Sequence, residues 1–267
     1  MNGTGPERPG VREAFYVVLA SFTLYLAALL ILKGNDPVSL FFTELSIVLP
    51  AVIWVRMQKY SFRTVFGFRR FNLFHAVPAV ILGFGFNVLT AELNILIQNV
   101  VPMDKDVLRG LTEILMYESP FEMVVLILTL VVAAGIGEEM LFRGLLMGAL
   151  GKSVSITRAV IYSALVFTFL HFNPWWTIEI FLLGVFTGVL AWRAGSLVPA
   201  VAMHATVNLV SLLLINHELS FLDLYLKSGH IRSEWLWVSG GCVIAGMVLF
   251  VLCTRNAGGK SPAGLPA

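Results

Sequence analysis

The chain has 267 residues, of which 58% are hydrophobic and 13% charged, with a mean hydropathy of +0.85. An ordinary soluble domain carries about 25% charged and about 45–50% apolar residues, so the composition is that of a polytopic membrane protein. A formal net charge of +2 is too small to argue for a nucleic-acid partner.

In chain order, residues 1–12 (MNGTGPERPGVR) are polar and read as a flexible tail, as do residues 255–267. The apolar run after the first tail is too long for a signal-peptide core and reads as a retained anchor. A spanning helix needs about 20 mainly apolar residues. Runs at 13–32, 38–57, 73–98, 121–149, 158–172, 175–192, 197–215 and 235–253 meet or approach that length. The expected fold is therefore all-α, a bundle of eight transmembrane helices forming one domain over 1–267. The fifth run is short, and such a helix persists only where neighbours bury its ends or it sits deep in the bundle. Segment 104–118 places Val107, Leu108, Leu111, Ile114 and Leu115 at helical spacing against charged residues. That amphipathic pattern is too polar to span and belongs at the interface, as a structural cap or a substrate gate.

Lysine and arginine set the orientation. With both termini cytoplasmic, Lys33, Lys105, Arg109, Lys227 and Arg232 face outward and the other 13 of the 18 basic residues face inward. The positive-inside rule favours that arrangement, and an even helix count agrees with it. Small residues cluster at Ala133, Ala134, Gly135 and Gly137 and in Gly184-Val-Phe-Thr-Gly188, the second a GxxxG packing face. Trp175 and Trp176 read as part of an interfacial aromatic belt. Cys242 and Cys253 lie about 16 Å apart along one helix and cannot bridge, so they read as buried thiols.

Glu138-Glu139-Met140-Leu141-Phe142-Arg143 stands out in the fourth run. A charge at membrane depth costs several kcal/mol unless it is paired or faces a wet cavity, which makes these carboxylates functional candidates. Glu139 and Arg143 are four apart with Glu first, the favoured order for an ion pair on one helical face. Glu138 points about 100° away and has no partner on its own helix. It is either a general base or a polar contact to another helix. His171 follows Phe167 by four residues, and His204 and Asn208 are likewise four apart. Each histidine can be a hydrogen-bonded core residue or a catalyst, and His204 with Asn208 can supply donors to a developing oxyanion. Measured from the cytoplasmic ends, Glu138 lies roughly 17 Å deep and His171 roughly 20 Å, with His204 at about 10 Å and Asn208 at about 16 Å. Polar groups from three helices are thus expected to meet near mid-membrane, on its cytoplasmic half. A zinc ion held by Glu138, His171 and His204 is a further alternative, although no HExxH sequence supports it.

Glu138-Glu139-x-x-x-Arg143, Phe167-x-x-x-His171 and His204-x-x-x-Asn208, in this order on successive helices, resemble the CPBP family of CAAX prenyl proteases and bacteriocin-processing enzymes, also called Abi. The resemblance covers about residues 118–215. It implies a metal-independent, glutamate-type intramembrane endopeptidase with an enclosed site and no cofactor. By position, Glu138 and His171 would activate water, and His204 and Asn208 would form the oxyanion hole. Glu139, Arg143 and Phe167 would support them. The implied partners are membrane lipid and a membrane-associated protein or peptide substrate, lipidated or not, in the cytoplasmic membrane. Two other classes compete: a non-catalytic scaffold, regulator or immunity protein of the same fold, and a proton-coupled transporter, for which no inverted repeat is found.

Overall fold

Each span expected from the sequence is a helix whose ends lie within three residues of the predicted bounds. The computed structural model describes residues 8–33, 36–68, 73–216 and 224–255. Most of the two expected tails, and Arg69, Arg70, His217 and Lys260, lie outside the described residues. The helices are α1 (Val11–Leu32), α2 (Pro37–Met57), the short α3 (Phe62–Val65), α4 (Leu73–Val100), α5 (Lys105–Glu113), α6 (Pro120–Leu150), α7 (Ile156–Phe169), α8 (Thr177–Ala194), α9 (Val198–Ile215) and α10 (Ser233–Cys253). A two-stranded hairpin, β1 (Leu226–Lys227) and β2 (His230–Ile231), precedes α10. Among the described residues seven helices are long and apolar enough to cross a membrane, and α7 is the shorter eighth. Side chains such as Leu30, Val100 and Trp237 stand exposed on the outer surface, as lipid-facing positions do.

Local chemistry sets the helix starts. Asp36 accepts hydrogen bonds from the Val38 and Ser39 amides at 3.0 Å, with Pro37 in the first turn of α2. Asp104 caps α5 through the amides of Asp106 and Val107. Ser119 caps α6 through Glu122, again with Pro at the first position. Gly195, at φ +68°, closes α8 in the left-handed conformation that glycine adopts without strain.

Cross-chain bonds show which loops share an end of the bundle. At one end the Leu197 amide donates to the Gly67 carbonyl at 3.1 Å, Arg8 donates to the Gly144 carbonyl, and the Lys152 ammonium donates to the Arg8 carbonyl. Arg8 is buried there, so the chain is already docked three residues before α1, inside the stretch expected to be a flexible tail. At the other end the Trp175 indole donates to the Val101 carbonyl, and Asn216 bridges Leu115 and Tyr117. Trp176, its neighbour in the expected aromatic belt, packs on the core and lines a cavity instead. Cys253 is exposed and Cys242 half-buried, so neither is the buried thiol expected; both sit on α10, whose surface is largely lipid-facing.

The α6 helix is irregular where the carboxylates sit. Leu128–Ala134 and Met140–Leu146 wind as π-helix, separated by one α-helical turn, Gly135–Glu139. Such widened turns are rare and concentrate at functional sites. Gly184 and Gly188 of α8 face Ala164 and Val160 of α7, so the GxxxG pattern is a helix-packing face. A Cβ at Gly184 would stand 2.9 Å from the Ala164 Cβ and 3.3 Å from Arg143 Nη2. Gly184→Val is therefore expected to cost about 1–3 kcal/mol of stability through overpacking. It also displaces Arg143, so activity should fall further than the loss of folded protein accounts for. Thermal unfolding in detergent together with activity per folded molecule checks this; activity that tracks folded protein alone would contradict it.

Candidate active site

The centre of the bundle holds a linked polar cluster. Glu139 is fully buried and receives two partners on one oxygen: Arg143 Nη1 at 3.0 Å and His204 Nδ1 at 2.9 Å. A carboxylate only accepts, so His204 donates through Nδ1. Its other nitrogen, Nε2, then faces Glu138 Oε2 at 3.6 Å. Glu138, without a partner on its own helix, thus finds one on α9, and the two adjacent carboxylates flank a single imidazole. The Arg143 guanidinium lies 4.3 Å from the centroid of the Phe167 ring, a cation–π contact that shields a charge with few hydrogen-bonding partners. Phe167 packs edge-on against His171 at 4.6 Å and His204 at 6.0 Å, which gives it a positioning role for both rings.

His171 lies in the turn just beyond α7 rather than within it. Asn173 and Pro174 end the helix: the Asn173 side chain accepts the Trp175 and Trp176 amides, and proline disfavours a helical residue before it. The His171 ring is fixed by a 2.8 Å contact between Nδ1 and the Phe167 carbonyl, so Nδ1 donates and Nε2 is left to the surroundings. Asn208 donates one amide hydrogen to the Leu130 carbonyl at 2.8 Å, inside the first π-helical stretch, and retains a second.

Two cavities meet at this cluster. The larger, about 440 Å³, is lined by Phe167, His171, His204 and Asn208 at the cluster and runs toward the end holding Leu115, Tyr225 and Ile231. Burial and the nearby Glu92 carboxylate push the Tyr225 hydroxyl up to about 12, so it stays protonated at neutral pH. The smaller, about 310 Å³, is lined by Glu138, His171, Tyr25 and Glu44 together with apolar side chains of α1, α2 and α6. His171 faces both. All seven sequence-predicted site residues therefore lie on this cluster or on the walls it shares. Among the described residues no hydrogen bond joins His171 to Glu138 or Asn208 to His204. Nor do any three His, Cys, Asp or Glu side chains gather as a metal-holding group among them.

Sequence reasoning missed Glu44 and Tyr25, which line the smaller cavity together with Glu138. It missed Glu179 and Asn87 on the larger cavity as well. The rule that singled out Glu138 applied equally to Glu44 and Glu179, since both are carboxylates inside apolar runs. His230 of β2 binds Glu92 at 2.8 Å and anchors the hairpin beside the larger cavity.

Residues 120–210 match the model of a family described as Rce1-like, type II CAAX prenyl endopeptidase. The matched stretch contains every member of the cluster and agrees with the resemblance carried by the three motifs. No curated protein and no solved structure matches the chain. With seven apolar helices of spanning length, the match identifies an integral membrane protein whose central region is similar to an intramembrane protease family.

Proposed function

We propose that the protein is an intramembrane endopeptidase that hydrolyses a peptide bond of a membrane-associated protein or peptide without a metal. The observation that carries this reading is the position of His204. It is held through Nδ1 by Glu139 and aimed through Nε2 at Glu138, at the base of a largely apolar cavity large enough for an extended peptide segment. The substrate enters the larger cavity and places its scissile carbonyl among His204, Asn208 and His171. A water on the Glu138 side, in contact with Glu138 and His171, gives a proton to the Glu138 carboxylate as its oxygen bonds to the carbonyl carbon. The oxyanion that forms takes hydrogen bonds from His204 Nε2–H and the second Asn208 amide hydrogen. As the C–N bond breaks, Glu138 returns its proton to the leaving amine.

This scheme needs both His204 nitrogens to donate, which makes the ring an imidazolium. Glu138, Glu139, Arg143 and His204 then sum to zero charge, the condition under which such a cluster is tolerated in hydrocarbon. Glu139 and Arg143 act by orienting and neutralising rather than by touching substrate. The distribution of basic residues favours cytoplasmic termini. In that orientation the larger cavity runs from the cluster toward the outer leaflet, although the depths estimated from sequence favoured the cytoplasmic half.

The test is hydrolysis by purified protein of a panel of tagged membrane peptides, with and without a chelator. Cleavage unaffected by the chelator is expected; abolition by the chelator, restored by added zinc, would move Glu138, His171 and His204 into a metal site. A folded protein that cleaves nothing while complementing a deletion strain as Glu138→Gln would favour a scaffold of the same fold.

A further inference from the structure

Beyond the His171, His204 and Asn208 cluster the larger cavity is mostly apolar, and one wall presents acceptors without a matching cation. Glu179, in the first turn of α8, faces the cavity and accepts from the Thr90 hydroxyl at 3.1 Å. Thr90 has one proton, and the Phe86 and Asn87 carbonyls lie within 3.2 Å of the same hydroxyl, so Glu179 does not hold it alone. Among the described residues no Lys, Arg or His pairs with Glu179. Asn87 is 3% exposed; its amide nitrogen donates to the Val207 carbonyl and to Ser211. A carbonyl can only accept, so the amide orientation is fixed and Asn87 Oδ1 is left buried without a donor.

Glu179 and Asn87 are thus two acceptors on one cavity wall, one carrying a charge that the α8 N-terminus favours. No lysine or arginine lines the cavity, and the His204 imidazolium at its base is already flanked by Glu138 and Glu139. A ligand carboxylate would find no counter-ion on this wall, whereas a ligand cation would supply what both groups lack. We propose that this wall is a subsite for a cationic group of the substrate, an ammonium or guanidinium held by Glu179 and Asn87 Oδ1 inside an otherwise apolar segment. The inference rests on the endopeptidase reading for its place in the reaction, but the binding preference stands independently of cleavage.

The experiment uses the full chain carrying Glu138→Gln, so that ligand is bound and not consumed, in phosphatidylcholine nanodiscs. Fluorescent peptides of one apolar sequence carry a single Lys, Arg, norleucine or Glu. A further norleucine pair has a free or an acetylated amino terminus, to separate a side-chain cation from a terminal one. At least tenfold tighter binding of one cationic form over its neutral counterpart is expected, with the Glu peptide weakest, since a buried charge pair discriminates on this scale. Adding Glu179→Gln should bring cationic and neutral peptides within about twofold while leaving the neutral peptide's affinity unchanged. Glu179→Asp should keep a severalfold preference and shows that the position tolerates change. Equal affinities in the parent, a preference for Glu, or an equal loss for all peptides on Glu179→Gln would overturn the subsite. Cationic preference in binding with no cleavage by wild type would leave the subsite standing and remove the endopeptidase reading. Cleavage without any cationic preference in binding would do the reverse.

Discussion

Glu138→Gln is expected to lower kcat by about 10³-fold while leaving the fold in place, because a positioned general base contributes on the order of 10²–10⁴. The substitution is nearly isosteric and keeps a hydrogen-bonding group 3.6 Å from His204 Nε2, but an amide cannot take a proton from water. Glu139 already occupies Arg143, and with Glu138 neutral the cluster returns to zero charge when His204 Nε2 gives up its proton, so the fold does not depend on Glu138 being charged. His204→Ala and Asn208→Ala each remove one proposed oxyanion donor, and losses of about 10²–10³ are expected for each. Removing His204 also frees Glu139, so its effect on stability should exceed that of Asn208. The check is single-turnover cleavage by each purified variant, with thermal unfolding run in parallel. A Glu138→Gln variant within a few-fold of wild type would contradict the assignment of the base.

The second large effect concerns folding. Arg143→Met should destabilise the protein by about 3–5 kcal/mol, since removing one partner of a buried ion pair leaves the other charge uncompensated. Both side chains are fully buried, and the guanidinium also covers the Phe167 face that positions His171 and His204. Combining Arg143→Met with Glu139→Gln removes both charges and should recover most of the stability, because a pair replaced by neutral groups of similar size is tolerated. Activity should not recover with it, since a neutral glutamine accepts from His204 Nδ1–H less strongly than the carboxylate and favours the imidazolium less. Unfolding midpoints of the two single variants and the double variant in one detergent decide this. Additive losses in the double variant would mean that the pair does not act as a unit.

The helices were legible because a spanning helix must be long, apolar and internally hydrogen-bonded, and the other solution in hydrocarbon, a closed β-barrel, calls for short alternating segments instead. The short α7 was legible for the same reason, as a run that fell short of the others. Its end was not: Asn173 and Pro174 stop the helix before His171, and placing the histidine in that turn lets it face two cavities at once. The pairing of Glu139 with Arg143 follows from their spacing on one helix. The capture of His204 between both glutamates does not, since it depends on how α9 packs against α6 and on π-helical turns that no local periodicity announces. Glu44, Glu179 and Asn87 were overlooked for a different reason. None belongs to a spaced motif, and only the fold shows that Glu44 shares a cavity with Glu138 and that Glu179 and Asn87 share another with His204.

The most direct measurement is a comparison of peptide termini in membranes from cells that contain the wild-type protein or Glu138→Gln at equal abundance. New termini in at least one membrane-associated protein are expected with wild type, absent with Glu138→Gln and unaffected by a membrane-permeant zinc chelator. Identical sets of termini in the two membranes, with both proteins folded, would contradict peptide hydrolysis by Glu138.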